Sequence, residues 1–249
     1  MLAKNVWEDY IKPAKLFGNL YFIGVRAVCT HLIDTGDGLI LIDTPRDADS
    51  AYAIRASMEQ LGFSVADLRY IIVTHGHFDH WEGVPKLVEW SGAKTFLSRV
   101  DMDLKPGFQV DHPLEDGHVI SLGNVEILCK FTPGHTAGTF SFFFYVEQDG
   151  KRYRAGMLGG AGIKQMSKDY LDRHGLSYKQ RDDFYCTLER LKAESVDIVL
   201  GNHPGQNKTL QKQARKLAGE ETAFVDSTEW VPYLERLRKK MDQMIQEGQ

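Results

Sequence analysis

One short segment constrains this chain more than any other: Thr74-His75-Gly76-His77-Phe78-Asp79-His80, directly behind the β-branched run Tyr70-Ile-Ile-Val73. Packing explains it poorly, because a hydrogen-bonded core histidine arrives singly. A solvated loop has no reason to choose imidazole repeatedly over Lys or Glu. Imidazole and carboxylate are instead the ligands that a borderline-soft divalent metal selects. A tight loop leaving a strand can turn His75 and His77 towards one point, and Asp79 and His80 towards an adjacent one. The fold must therefore present the end of a buried strand as the floor of a metal site.

Four ligands are too few for two metals, and the chain supplies more. Thr132-Pro-Gly-His135-Thr-Ala-Gly138 follows the alternating run Val125–Phe131, and Gly201-Asn-His203-Pro-Gly205 follows Asp197–Leu200. Each histidine sits in a Gly- or Pro-rich turn at a strand end, where a rigid sheet can hold a side chain in place. His75, His77 and His135 then make one site, and Asp79, His80 and His203 a second. Three protein ligands with a fourth position open is the catalytic pattern, whereas a structural zinc is closed by four. No cysteine lies near the cluster.

Around these turns the pattern predicts strands over 19–24, 30–34, 38–43, 70–73, 125–131 and 139–146, around 95–97, from the 147–150 turn to an end near 158, and over 197–200. Helical spacing covers 48–61, with Ala51, Ile54, Ala56, Met58 and Leu61 available for one face, and then 83–90, 180–194 and 206–218. A C-terminal helix near 229–246 carries Leu234, Leu237, Met241 and Ile245. The stretches 101–113 and 164–174 read as loops at the rim of the site. Two strand-rich blocks, each followed by helices, predict sheets stacked and covered by helices. No Pro- or Ser-rich hinge divides the chain, which reads as a single domain over 1–249.

Composition limits the partners. Lys+Arg 30 against Asp+Glu 34 gives a net charge of −4, which disfavours a protein whose affinity rests on neutralising nucleic-acid phosphates. No apolar run approaches the ~20 residues that span a bilayer. The first fifteen residues mix charge with isolated apolar side chains and lack the core of a signal peptide, so a cytoplasmic location is expected. Three scattered cysteines imply no disulfide framework. A small-molecule substrate is the expected partner, and nothing in the sequence sets an oligomeric state.

The segment His75–His80 resembles the HxHxDH signature of the metallo-β-lactamase superfamily, and the likeness runs from the strand at Asn19 to beyond His203. That resemblance implies an α/β fold, a four-layer αββα sandwich of two mixed β-sheets flanked by helices. Within the superfamily the ligand set is similar to that of the third subclass of metallo-β-lactamases, which implies two Zn2+ per chain, one held by three His and one by Asp-His-His. Imidazole at His77, where the diiron flavoproteins of the superfamily place Glu, favours zinc. The implied activity is hydrolysis of a cyclic amide by metal-activated water, with Asp79 binding the second metal and orienting the water.

Two departures qualify the resemblance. Superfamily hydrolases of thioesters, lactones and phosphodiesters carry a metal-bridging Asp at the end of a late strand. The matching stretch here, Arg154-Ala-Gly-Met-Leu-Gly-Gly160, contains no acid and places Met157 at that position. The third-subclass enzymes lack this Asp as well, but usually carry serines where this chain has Met157 and Gly159. The second departure is the missing export signal. The rival readings are a cytosolic hydrolase of a thioester, lactone or phosphodiester, and a non-catalytic metal-binding member of the fold. Outside the constellation, His31 reads as a hydrogen-bonded core histidine and His118 as structural or exposed. Phe78 and Trp81 read as pocket wall or as packing beneath the loop, and Phe140–Tyr145 as sheet core.

Overall fold

A computed structural model describes residues 9–46 and 49–248. The first eight residues, and the start of the helix expected from 48, lie outside the described residues. The first sheet runs β1 (Ala14–Phe17), β2 (Leu20–Phe22), β3 (His31–Asp34), β4 (Leu39–Ile42), β5 (Leu68–Ile72), β6 (Lys94–Ser98) and β7 (His112–Leu114), in that spatial order. β1 to β4 pair antiparallel, and β4 to β7 parallel. The second sheet holds β8 (Val119–Leu122), β9 (Val125–Phe131), β10 (Phe140–Gln148), β11 (Lys151–Met157) and β12 (Ile198–Leu200). Its order is β12-β11-β10-β9-β8, with only β11 and β12 parallel.

Parallel neighbours need crossover connections, and helices supply them on the outer face. α1 (Ser50–Gln60) links β4 to β5, and α2 (Val84–Ser91) links β5 to β6. Ala51, Ile54 and Met58 of α1 pack with Val84 and Leu87 on Leu32, Leu41, Ile71 and Val73. The opposite side chains of the same strands, Ile33, Ile40, Ile42 and Ile72, face Ile127, Phe142, Phe144 and Leu200 of the second sheet. Burial on both faces explains why β4, Leu39-Ile-Leu-Ile42, reads as an unbroken apolar run rather than as an alternation. Behind the second sheet, α4 (Lys179–Leu191) and α6 (Trp230–Gln246) bury Phe184, Leu188, Trp230, Leu234 and Met241 against Phe143 and Val199. The layers are thus α, β, β, α, as the resemblance implies. α3 (Lys168–His174) and α5 (Thr209–Leu217) complete the helices of the described residues, none of which is long and apolar enough to cross a membrane.

Several expectations shift. The buried face of α1 is Ala51, Ala53, Ile54, Ser57 and Met58, with Ala56 and Leu61 only half-buried. β1 and β7 were not expected. β7 closes the stretch 101–113 because Pro113, which lacks an N–H, is tolerated on an edge strand. α3 occupies most of the stretch 164–174, started by the Ser167 hydroxyl, which accepts the Tyr170 N–H at 3.2 Å, and ended by Gly175 in the left-handed region.

Candidate metal centre

The parallel strands of the first sheet end at the seam between the two halves, and β5 delivers the histidine loop there. Asp43, directly after β4, is fully buried at φ +59. One of its carboxylate oxygens accepts the Thr74 N–H at 2.8 Å, and the other accepts the Thr74 hydroxyl at 2.9 Å and the His80 Nδ1–H at 2.8 Å. Because the only Thr74 hydroxyl proton goes to Asp43, its oxygen accepts Nδ1–H of His75, 2.9 Å away. A single carboxylate therefore fixes the tautomers of both His75 and His80, and leaves each Nε2 as a lone pair.

The other two loops behave alike. Nδ1–H of His135 donates to the Gly162 carbonyl at 2.7 Å, and Nδ1–H of His203 to the Ala27 carbonyl at 2.6 Å. Such outer partners orient metal-binding imidazoles and raise their basicity. The free nitrogens converge. His135 Nε2 lies 3.1 Å from His75 Nε2 and 3.0 Å from His77 Nδ1, although neither Nε2 carries a proton. The donor atoms of His75, His77 and His135 lie within 4.8 Å of one another, and so do those of Asp79, His80 and His203. The two groups adjoin, with the His75 and His80 rings 4.2 Å apart. Among the described residues His80 Nε2 is buried without a hydrogen-bond partner, with Oδ2 of Asp79 3.7 Å away. An orphaned buried nitrogen and facing lone pairs are costly unless a cation sits among them, so the donor set fits two metal ions.

The electrostatics of four of the five imidazoles agree. Burial first, and then the neighbouring imidazoles, hold His75 and His135 well below the usual histidine range, and His77 falls to about 4 for the same first cause. His203 is lowered by burial and by His80. These rings stay neutral, with lone pairs available, at neutral pH. Burial also opposes charge on His80, but Asp43 and Asp79 outweigh it and raise the pKa.

Asp101 locks the first group from behind. It is buried, accepts N–H of Gly76 at 2.7 Å and of Gly138 at 2.8 Å, and takes the Thr136 hydroxyl at 2.7 Å. A Cβ on Gly138 would fall 2.4 Å from Oδ1 of Asp101, and one on Gly160 would fall 2.6 Å from Cβ of His135, so both positions need glycine. At the mouth, Phe78 is 50% exposed with the Arg46 guanidinium 5.9 Å from its ring centroid. Trp81 lies under the loop, its indole N–H on the Gly76 carbonyl at 3.1 Å.

The structure thus brings all six sequence-predicted ligands into two groups. Met157 packs in the core between the sheets with Phe142, Ile198 and Leu200, and the backbone that presses on His135 belongs to Gly160 and Gly162. His118 is half-buried, and Phe140, Phe142, Phe143 and Phe144 are core while Tyr145 is exposed. Sequence reading missed Asp43, Thr74, Asp101 and Thr136 as functional residues. An acid ending the buried apolar run Leu39–Ile42 was the one available signal. Asp101 has none locally, since its partners lie 25 to 37 residues away.

The chain belongs to the metallo-β-lactamase superfamily, whose profile matches residues 23–148 and so includes every donor except His203. A hydroxyacylglutathione hydrolase of Jannaschia sp. is 37% identical over 98 residues, which are 39% of this chain and only 36% of that relative. A hydroxyacylglutathione hydrolase of Maricaulis maris is 30% identical over 201 residues, covering 77% of this chain and 74% of the relative. Among solved structures, BJP-1, a subclass B3 metallo-β-lactamase of Bradyrhizobium japonicum, superposes with a TM-score of 0.88 at 25% identity over 99% of this chain and 98% of that one.

Proposed function

We propose that the protein is a binuclear zinc hydrolase that opens a cyclic amide of the β-lactam type. The observation that carries this reading is the stretch Arg154–Gly160, which brings no carboxylate to a site that otherwise has a complete three-His and Asp-His-His set. The near full-length likeness to a subclass B3 enzyme supports it.

His75, His77 and His135 would hold one metal, and Asp79, His80 and His203 the other. Zinc there supplies Lewis-acid activation of water and of the scissile carbonyl. The protein's own part is orientation. Asp43, Thr74, Gly162 and Ala27 keep four imidazoles in the tautomer that aims a lone pair inward. Asp79 is the one carboxylate among the six donors, so it alone can accept a hydrogen bond from the attacking water and take up its proton. Phe78 and Arg46 offer an apolar face beside a cation, which suits a ring that carries an anionic group.

The test is a substrate panel on zinc-loaded protein: nitrocefin, a carbapenem, an S-acylglutathione, a homoserine lactone and a bis-aryl phosphodiester. Lactam turnover should be abolished by chelation, restored by zinc, and lowered at least ~10²-fold in His135→Ala. A second reading, thioester hydrolysis, is favoured by the Maricaulis relative. Efficient thioester turnover with both lactams untouched would establish it and refute the first.

A further inference from the structure

The second donor group straddles the two halves of the molecule. His80 hangs from the first sheet, whereas His203 follows β12 of the second. Something must hold the 201–203 loop against the first half, and the segment 27–31, which leads from the β2–β3 connection into the first residue of β3, does so with three bonds in antiparallel order. His31 Nε2 meets the Gly201 carbonyl at 2.9 Å, the Cys29 N–H donates to the Asn202 carbonyl at 2.9 Å, and the Ala27 carbonyl accepts Nδ1–H of His203 at 2.6 Å. The two segments pair like a short ladder at the end of β12.

His31 is its unusual rung. The ring has no solvent exposure, lies opposite Phe22 and Ile42 in the β3 register, and is flanked along the strand by Leu32. An apolar side chain would pack there without desolvating a polar group. The partner of Nε2 is a carbonyl, which only accepts, so the ring proton sits on Nε2, and Nδ1 is left buried without a partner. Among the described residues, the one hydrogen bond that this buried imidazole makes is to the His203 loop. Asp43 follows Ile42, the residue opposite His31, so neighbouring strands of one sheet anchor both histidines of the second group.

We propose that His31 is a positioning residue for the second metal: by holding Gly201 it sets where His203 presents Nε2 to His80 and Asp79. This rests on the metal-site reading above, but not on which substrate is cleaved. The first group is locked separately, by Asp101, so the effect should be confined to one of two metals.

The experiment is zinc titration against a chromophoric chelator for wild type, His31→Leu, His31→Gln and His31→Asn. Glutamine carries an amide N–H about as far from Cβ as histidine Nε2, while asparagine is one carbon shorter. His31→Leu and His31→Asn should weaken the second zinc by about 10-fold, the lower end of the effect of losing a group bonded directly to a ligand, because His31 acts on His203 through Gly201, with the first zinc unchanged and His31→Gln close to wild type. Should His31→Leu fail to fold, the Gln and Asn pair decides. Wild-type binding of both zincs by Asn and Gln alike would overturn the proposal, as would equal weakening of both sites. A wild-type protein that binds no second zinc would instead refute the metal-site reading on which the proposal stands.

Discussion

His75 and His135 point unprotonated Nε2 atoms at each other across 3.1 Å, because the Thr74 hydroxyl and the Gly162 carbonyl hold the proton of each ring on Nδ1. Two lone pairs at that separation repel, and a cation between them turns the repulsion into binding. Metal should therefore stabilise the fold strongly. At free zinc a thousandfold above Kd, each site contributes about 4 kcal/mol. Chelation should lower the thermal midpoint and zinc should restore it, as read by calorimetry. An unchanged midpoint would mean that the rings tolerate their arrangement without an ion.

Asp43→Asn isolates the carboxylate that orients two of the rings. Asparagine accepts the left-handed backbone at this position, φ +59, better than most residues. Its amide nitrogen cannot accept a proton, so it cannot replace both oxygens facing Thr74 and His80. Metal affinity should fall about 10- to 100-fold in a competition titration. Unaltered affinity would show that Thr74 and His80 orient themselves.

Met157→Ala separates a packing role from a place in the pocket. Met157 is fully buried among Phe142, Ile198 and Leu200. Its truncation should cost about 2–5 kcal/mol in denaturant unfolding, while the folded variant keeps its full metal content. Loss of a metal equivalent from a folded variant would place the thioether at the site.

Glu194 gives a pH signature away from the metals. It pairs with Lys130 of β9 and with Arg154 of β11, the latter at 2.6 Å. Burial opposes its charge, but the bonds from Lys130 and Arg154 outweigh that and lower its pKa. A carboxylate with a depressed folded pKa contributes stability above its unfolded value, about 4.3, which is lost as pH falls through the folded one. Glu194→Gln should thus cost about 1 kcal/mol at pH 7, and the gap should close in acid. A gap that fails to narrow as pH falls below about 4.3 would contradict the ion-pair account.

The six ligands were legible because each sits in a Gly- or Pro-rich turn behind an apolar run, and chemistry of that kind leaves a local trace. The layering was legible in kind, since a doubly buried strand such as β4, Leu39-Ile-Leu-Ile42, is continuous in Leu and Ile. What stayed hidden depends on contacts distant in sequence. Asp101 acquires meaning only when Gly76 and Gly138 are folded onto it, and His31 only when Gly201 arrives from 170 residues away. Met157 aligned with a site position, yet the pleat of β11 sends its side chain into the core. β7 escaped notice because a strand containing His112 and Pro113 has little apolar pattern to show.

Elemental analysis of zinc-supplemented, desalted protein tests the central claim most directly, that the two donor groups hold a pair of metal ions. Wild type should approach two equivalents per chain. Asp79→Ala removes the one carboxylate of the six donors and should lose metal chiefly from the second site, leaving close to one equivalent. A wild-type protein that retains no metal after zinc loading would contradict the account at its base.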